Sequence, residues 1–360
     1  VRISIAVLLL LAVPAFAQPP APDGSSDEAG LAMQVARAEN DIRNSPALIQ
    51  DAALHDYVQG IACRVAASDC AALRVYVLEA PGMGVTSLPN GALLVWSGTL
   101  LRADNEAELA HLLAHEIAHY LHKDSLSRFH RMLDTSGAVA LLGVAASGVG
   151  AGFIGTPASM AALGADYSYS RSEEAAALRA GFDLAVAAGY DPQAAMVWTK
   201  ADEDFRNRHA GDDPGALLRS LPQSVPGRAV WKLGRESHDT AIAPYLGRWV
   251  EDELRQDGGT KNDKVALFLR LSLNGGGLYR YGLGEALRKR ALPGDAALAE
   301  AAFREALSSP DAPALAWRGL GLMAMQMGDK SAARTAFAHY RARLPDADDK
   351  AMIDYYLAQL

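Results

Sequence analysis

The chain is poor in cysteine, poor in aromatics and lacks any run of positive charge. Only two of its 360 residues are cysteines, 7% are aromatic, and the formal net charge is −8. Without a basic stretch or basic residues interleaved with aromatics, nucleic acid is not expected as a partner. Cys63 and Cys70 have no C-x-x-C spacing and no neighbouring histidine, which argues against a zinc site built on them. No apolar run near the N-terminus is long enough for an ordinary transmembrane span. Half the residues are nevertheless apolar, enough for a sizeable core in one large or two ordinary domains.

What is present centres on residues 111–124, HLLAHEIAHYLHKD. His115-Glu116-Ile117-Ala118-His119 is an H-E-x-x-H motif among good helix formers. Residues four apart share a helix face, so the imidazoles of His115 and His119 can close on one metal ion. Glu116, one step round from His115, can take a proton from an activated water. One Zn²⁺ per chain is the expected cofactor, because zinc brings the pKa of a bound water to about 7 and polarises a carbonyl. The motif alone recurs by chance, but here Glu106-Ala107-Glu108-Leu109-Ala110 leads in as a helix, with Asp104 or Asn105 available as N-cap. Leu109, Leu112, Leu113, Ile117, Ala118 and Leu121 predict burial. A buried helix of merely satisfied histidines would need three costly polar groups in one turn, which disfavours that alternative. His111 and His122 are expected to be supporting or exposed histidines, not ligands.

Residues 1–17 read as a secretory signal, with Arg2 as n-region, Ile3 to Val13 as apolar h-region and Ala15-Phe16-Ala17 as cleavage site. Residues 18–26, rich in Pro, Gly and Ser, form an expected disordered leader. In an exported chain, Cys63 and Cys70 are expected to pair as a disulfide closing a small loop. Helical patterns cover 27–43 and 46–67. Strands are expected over 73–79, 84–88 and 92–96, with turns at Pro81-Gly82 and Pro89-Asn90-Gly91. Residues 138–164 are apolar but rich in glycine and broken by Thr156-Pro157. They read as a small-residue loop or helix pair near the site more readily than as a membrane hairpin.

A catalytic zinc needs a third protein ligand and one open position. Glu173 and Glu174 open a helical segment that runs to Gly189, but spacing alone does not separate a ligand from an acid favoured at a helix N-terminus. HEIAH followed by Ser170-Arg171-x-x-Glu174-x-x-Ala177, and then by Ala188-Gly189-Tyr190-Asp191-Pro192, resembles the CAAX prenyl protease and HtpX-type zinc peptidases. Leu88-Pro89-Asn90-Gly91, Trp96-Ser97-Gly98 and residues 106–110 resemble the segments that precede the metal helix in that family. The likeness covers roughly residues 40–250 and is nearest in architecture to the periplasmic, BepA-like members with C-terminal tetratricopeptide repeats. It implies Glu174 as third zinc ligand and Gly181 as the closing glycine of the family pattern. It also implies a role in outer-membrane protein quality control. Two positions depart from the pattern. Leu178 stands where the family has an aspartate, and Ser220-Leu221-Pro222 replaces a His-Pro; His209 and His238 are open as substitutes.

Val85, Thr86, Ser87 and Leu88 form an expected edge strand that would bind a peptide by β-addition. Beyond the polar linker Gln256 to Asn262, Gly294-Asp295, Ala299 and Phe303 recur 34 residues later as Gly328-Asp329, Ala333 and Phe337. With Trp317-x-x-Leu320-Gly321 and Pro345, this is the tetratricopeptide pattern. Lys264 to Ser272 are a candidate half-unit, and Asp348 to Leu360 a cap. The expected architecture is thus α+β and mostly helical, with a zincin-type peptidase domain over 27–255 and a helical solenoid over 262–360.

The functional expectation is a periplasmic zinc endopeptidase that cleaves misfolded or stalled envelope proteins, with 138–164 the stretch that could touch a membrane. Unfolded or misassembled envelope proteins are the expected substrates, and outer-membrane assembly machinery a partner for the repeats. The alternative is a client-binding scaffold whose metal site is weak.

Overall fold

The computed structural model describes residues 26–124, 126–127, 169–200, 230–256 and 260–360. The expected signal (1–17), all of the leader but Ser26, the apolar stretch 138–164 and His209 lie outside the described residues.

Helix α1 (Ser26–Arg43) leads to α2 (Ala52–Ala66), where the expected second helix starts late. Asp51 stops it from starting earlier, because its carboxylate accepts from Ala53 N at 2.8 Å and Leu54 N at 3.1 Å. Residues before this cap run extended beside the first strand, with Ile49 N donating to Val77 O and Glu79 N to Ala47 O. The Cys63–Cys70 disulfide ties the end of α2 to a short 3-10 turn, as expected.

Three strands follow: β1 (Arg74–Leu78), β2 (Val85–Ser87) and β3 (Ala92–Trp96). The order is β1-β3-β2, with β1 parallel and β2 antiparallel to β3. Val75, Val77, Leu93 and Val95 join the main core, whereas Tyr76, Leu78, Leu94 and Trp96 pack with Ile42 of α1 on the opposite face. Both faces are covered, which accounts for strands that read as continuous apolar runs. Gly91, at φ +85°, closes the Pro89-Asn90-Gly91 turn so tightly that a Cβ there would stand 2.2 Å from Ala72 O. Only glycine fits this turn.

Trp96 feeds α3 (Ser97–Arg102) and then α4 (Glu106–Leu121), which carries HEIAH. Asn105, not Asp104, is its N-cap and accepts from Glu108 N at 3.0 Å. Helix α5 (Arg171–Ala187) packs along α4. Helices α6 (Arg235–Ile242) and α7 (Leu246–Arg255) follow, then α8 (Lys261–Leu273), α9 (Gly277–Arg290), α10 (Asp295–Leu307), α11 (Leu315–Gln326), α12 (Lys330–Arg343) and α13 (Lys350–Gln359). From α8 on, neighbours in sequence pack as neighbours in space, giving an extended helical region beside the α+β unit.

One apolar core runs without a break from Leu54 through α4 to Met323. Buried charge reinforces the junction. Arg102 of α3 donates to both carboxylate oxygens of Glu253 on α7, at 2.5 and 3.1 Å, and Arg270 of α8 pairs with Asp104 at 2.8 Å. Glu253 is 2% exposed, so removing Arg102 would strand a buried charge. Among the described residues, no helix is long and apolar enough to cross a membrane.

Candidate metal centre

Every residue of α4 from Glu106 to His119 is buried. Such burial is tolerable only where each polar group finds a partner. At the N-terminal end, Glu106 accepts from Arg64 at 2.6 Å, Tyr190 at 2.7 Å and Lys232 at 2.5 Å. Burial alone would raise the Glu106 pKa, but the bonds from Lys232 and Tyr190 and the charges of Lys232 and Arg64 outweigh it, and the carboxyl is held below its usual range. One turn on, His111 Nε2 bonds Asp191 O at 2.9 Å and its ring packs on Phe182. His111 is therefore a supporting residue, as expected, while His122 is exposed just past the helix end.

His115 and His119 point the same way from successive turns, their Nε2 atoms 3.1 Å apart. The third member is Glu174, whose Oε2 lies 3.2 Å from His115 Nε2 and 3.7 Å from His119 Nε2. Glu173 is otherwise engaged. It closes a capping box with Ser170, accepting from Ser170 N at 2.7 Å while Ser170 Oγ accepts from Glu173 N at 3.3 Å. That box sets the first turn of α5, so the next residue, Glu174, turns inward and is 5% exposed.

The approach of α5 to α4 depends on Gly181. A Cβ there would stand 2.7 Å from His115 N and 2.8 Å from His115 Cα, so the helices touch backbone to backbone beside the first histidine. Leu178, where an aspartate was anticipated by family pattern, packs in the main core.

Two imidazole nitrogens and a carboxylate oxygen thus converge, all within 4.8 Å of one another. Ligands at about 2.0–2.1 Å around a tetrahedral zinc ion stand about 3.4 Å apart, and the separations in this cluster bracket that value. The donor set suits a divalent metal with one position left open. Burial lowers the His115 pKa to about 4, so its imidazole is neutral near pH 7, the form a metal requires.

The rest of the neighbourhood was less legible in sequence. His119 Nδ1 bonds Asp124 Oδ2 at 2.9 Å, and its ring stacks on Tyr169 with centroids 3.6 Å apart. The buried Glu116 carboxylate accepts from Ser87 N at 2.9 Å, which fixes the motif glutamate to strand β2. Of the four residues expected to bind substrate, Val85, Thr86 and Ser87 form β2 at one edge of the sheet, while Leu88 begins the turn. His238 is not at the cluster. It is buried between Leu100 O, 3.1 Å from Nε2, and Tyr57 Oη, 3.0 Å from Nδ1. This is a structural position.

Comparison with known proteins agrees with this geometry. A candidate beta-barrel assembly-enhancing protease of Vibrio cholerae is 29% identical over 195 residues, covering 51% of this chain and 40% of that protein. The mitochondrial metalloendopeptidase OMA1 of Bos taurus is 30% identical over 148 residues, 38% of this chain and 27% of OMA1. The chain thus spans less than half the length of either relative. The family model for peptidase family M48 matches residues 49–229, which contain the whole His115, His119 and Glu174 cluster. On the strength of that match and the intact buried motif, the chain belongs to peptidase family M48.

Proposed function

We propose that the chain is an exported zinc endopeptidase acting on unfolded or misassembled envelope proteins. His115, His119 and Glu174 would hold the metal and Glu116 would be the general base. The observation that carries this reading is the convergence of two Nε2 atoms and one carboxylate oxygen in a buried site, with a carboxylate on the adjoining helix position. Zinc, when bound, supplies a Lewis acid that ionises water near neutral pH and polarises the scissile carbonyl. The protein does the rest. Glu116 takes the proton from water and delivers it to the leaving amine, a role worth about 10²–10⁴-fold in rate. Its bond to Ser87 N keeps the carboxylate beside the strand on which substrate would lie.

The register of β2 supports backbone-led binding. Trp96 N donates to Gly84 O and Leu88 N to Ala92 O, so alternate residues of the strand face β3. Val85 and Ser87 then turn their backbone groups away from β3; Ser87 N is already bonded to Glu116, so Val85 is the residue whose main chain an added peptide strand would meet. Binding through the main chain gives loose sequence preference, which suits unfolded clients. Export fits the Cys63–Cys70 disulfide and the signal-like segment 1–17. The Vibrio relative is named for beta-barrel assembly, and an envelope role here follows by analogy with it. The helical region, read as tetratricopeptide repeats, would hold clients or assembly partners.

The test is zinc content and casein cleavage for the wild type and Glu116→Gln. One zinc in each, with cleavage reduced at least about 100-fold in the variant, is the expected result. A wild type without zinc would overturn the metal site. Zinc in both with cleavage in neither would favour a client-binding scaffold.

A further inference from the structure

We propose that Asp124 is a positioning residue for the metal centre, fixing which nitrogen of His119 faces the metal; this rests on the zinc-site reading above. Asp124 Oδ2 lies 2.9 Å from His119 Nδ1. A carboxylate accepts, so Nδ1 carries the hydrogen, and Nε2 is left as the lone-pair nitrogen directed at His115 Nε2 and Glu174. Tyr169 stacks on the same ring at an interplanar angle of 13°, fixing the plane while Asp124 fixes rotation within it. An imidazole held by its edge and by its face has little freedom to swing out of the cluster.

The local backbone gives a reason to read this contact as directed. Helix α4 ends at Leu121, and Lys123 adopts φ +60°, which reverses the chain and returns Asp124 to His119. Helices commonly end on a left-handed residue after the C-cap, most often glycine; here a lysine takes that position despite its Cβ, and the same turn places the Asp124 carboxylate on His119. Asp124 is only 9% exposed, so the bond is sheltered from competing water. Carboxylate–histidine pairs of this kind orient metal ligands and raise their basicity, and losing the outer partner weakens metal binding about 10–100-fold.

The test measures zinc affinity of the full chain by chelator competition, together with the visible spectrum of the cobalt(II)-loaded protein. Asp124→Ala should bind zinc about 10–100-fold more weakly and shift the cobalt bands, with urea unfolding of the metal-free protein little changed. Asp124→Asn should recover most of the affinity, because the amide oxygen still accepts from Nδ1–H, and it remains informative if the alanine variant fails to fold. Wild-type affinity in Asp124→Ala would overturn the inference while leaving the zinc site standing. Equal losses in both variants, or an affinity loss matched by lost stability of the metal-free protein, would also overturn it. A wild type that takes up no zinc would instead remove the site itself.

Discussion

The α4–α5 pair and the helical region from α9 to α13 are both buried helix on helix, yet they fill their interiors differently. On α4 the buried face carries Glu106, Glu108, His111, His115, Glu116 and His119, and partners arrive from distant points such as Arg64, Ser87, Asp191 and Lys232. In the helical region the interior is alanine and glycine beneath aromatic rings. Phe303 lies over Gly284 and Gly319, and Phe337 over Gly321, close enough that a Cβ at any of these glycines would stand 2.4–2.6 Å from a ring carbon. The second arrangement is stabilised mainly by area, with its few buried polar groups, such as Asp295 and Tyr340, paired close by in sequence with Arg290 and Asp349. The first is costly unless every polar group is met, so it is retained for chemistry.

If the comparison holds, damage to one region should leave the other's property intact. The largest effect should come from Phe337→Ala. Phe337 is fully buried in a satellite core with Ala324, Ala333, Tyr340 and Ile353, separate from the main core. Truncation should cost about 3–5 kcal/mol in urea unfolding of the C-terminal helices while zinc content is unchanged. Loss of zinc in this variant would show that the regions are not independent. Gly181→Ala is the converse. Overpacking should cost about 1–3 kcal/mol, and because the clash is with His115 backbone, it should displace α5 and lower zinc affinity as well. A destabilised variant with wild-type zinc affinity would mean that Glu174 tolerates a shift of its helix.

The same contrast explains how much could be read from the sequence. The helical region was legible because its signal is local: a 34-residue period places Phe303 and Phe337 at equivalent, fully buried positions. HEIAH was legible because i, i+4 spacing is set by the helix. Choosing Glu174 over Glu173 rested on family resemblance, although the S-x-x-E capping box from Ser170 to Glu173 was there to be read. Asp124 was not found, because its approach depends on a left-handed Lys123 that no composition signals. Tyr169 and the Ser87–Glu116 bond were missed for the related reason that partners across 29 or more residues leave no pattern in sequence. Residues 46–50 read as helix in the sequence, whereas 47–49 lie against β1, a contact that is likewise non-local.

His111 tests the comparison at its finest grain, since it is a polar group on α4 outside the metal-site cluster. Burial lowers its pKa to about 4, against about 6.5 in an unfolded chain. The folded state therefore binds this proton less readily than the unfolded state. Its contribution to stability is complete above pH 6.5 and declines as pH falls towards 4. The variant His111→Gln keeps an N–H donor for Asp191 O but does not titrate. In metal-free protein, where every other group is common to both forms, lowering the pH from 7 to 5.5 should cost the wild type about 1 kcal/mol more than the variant. Parallel curves would mean that His111 is charged or hydrated in the fold. The α4 interior would then be open to water, and the dry site on which the contrast with the helical region rests would be lost.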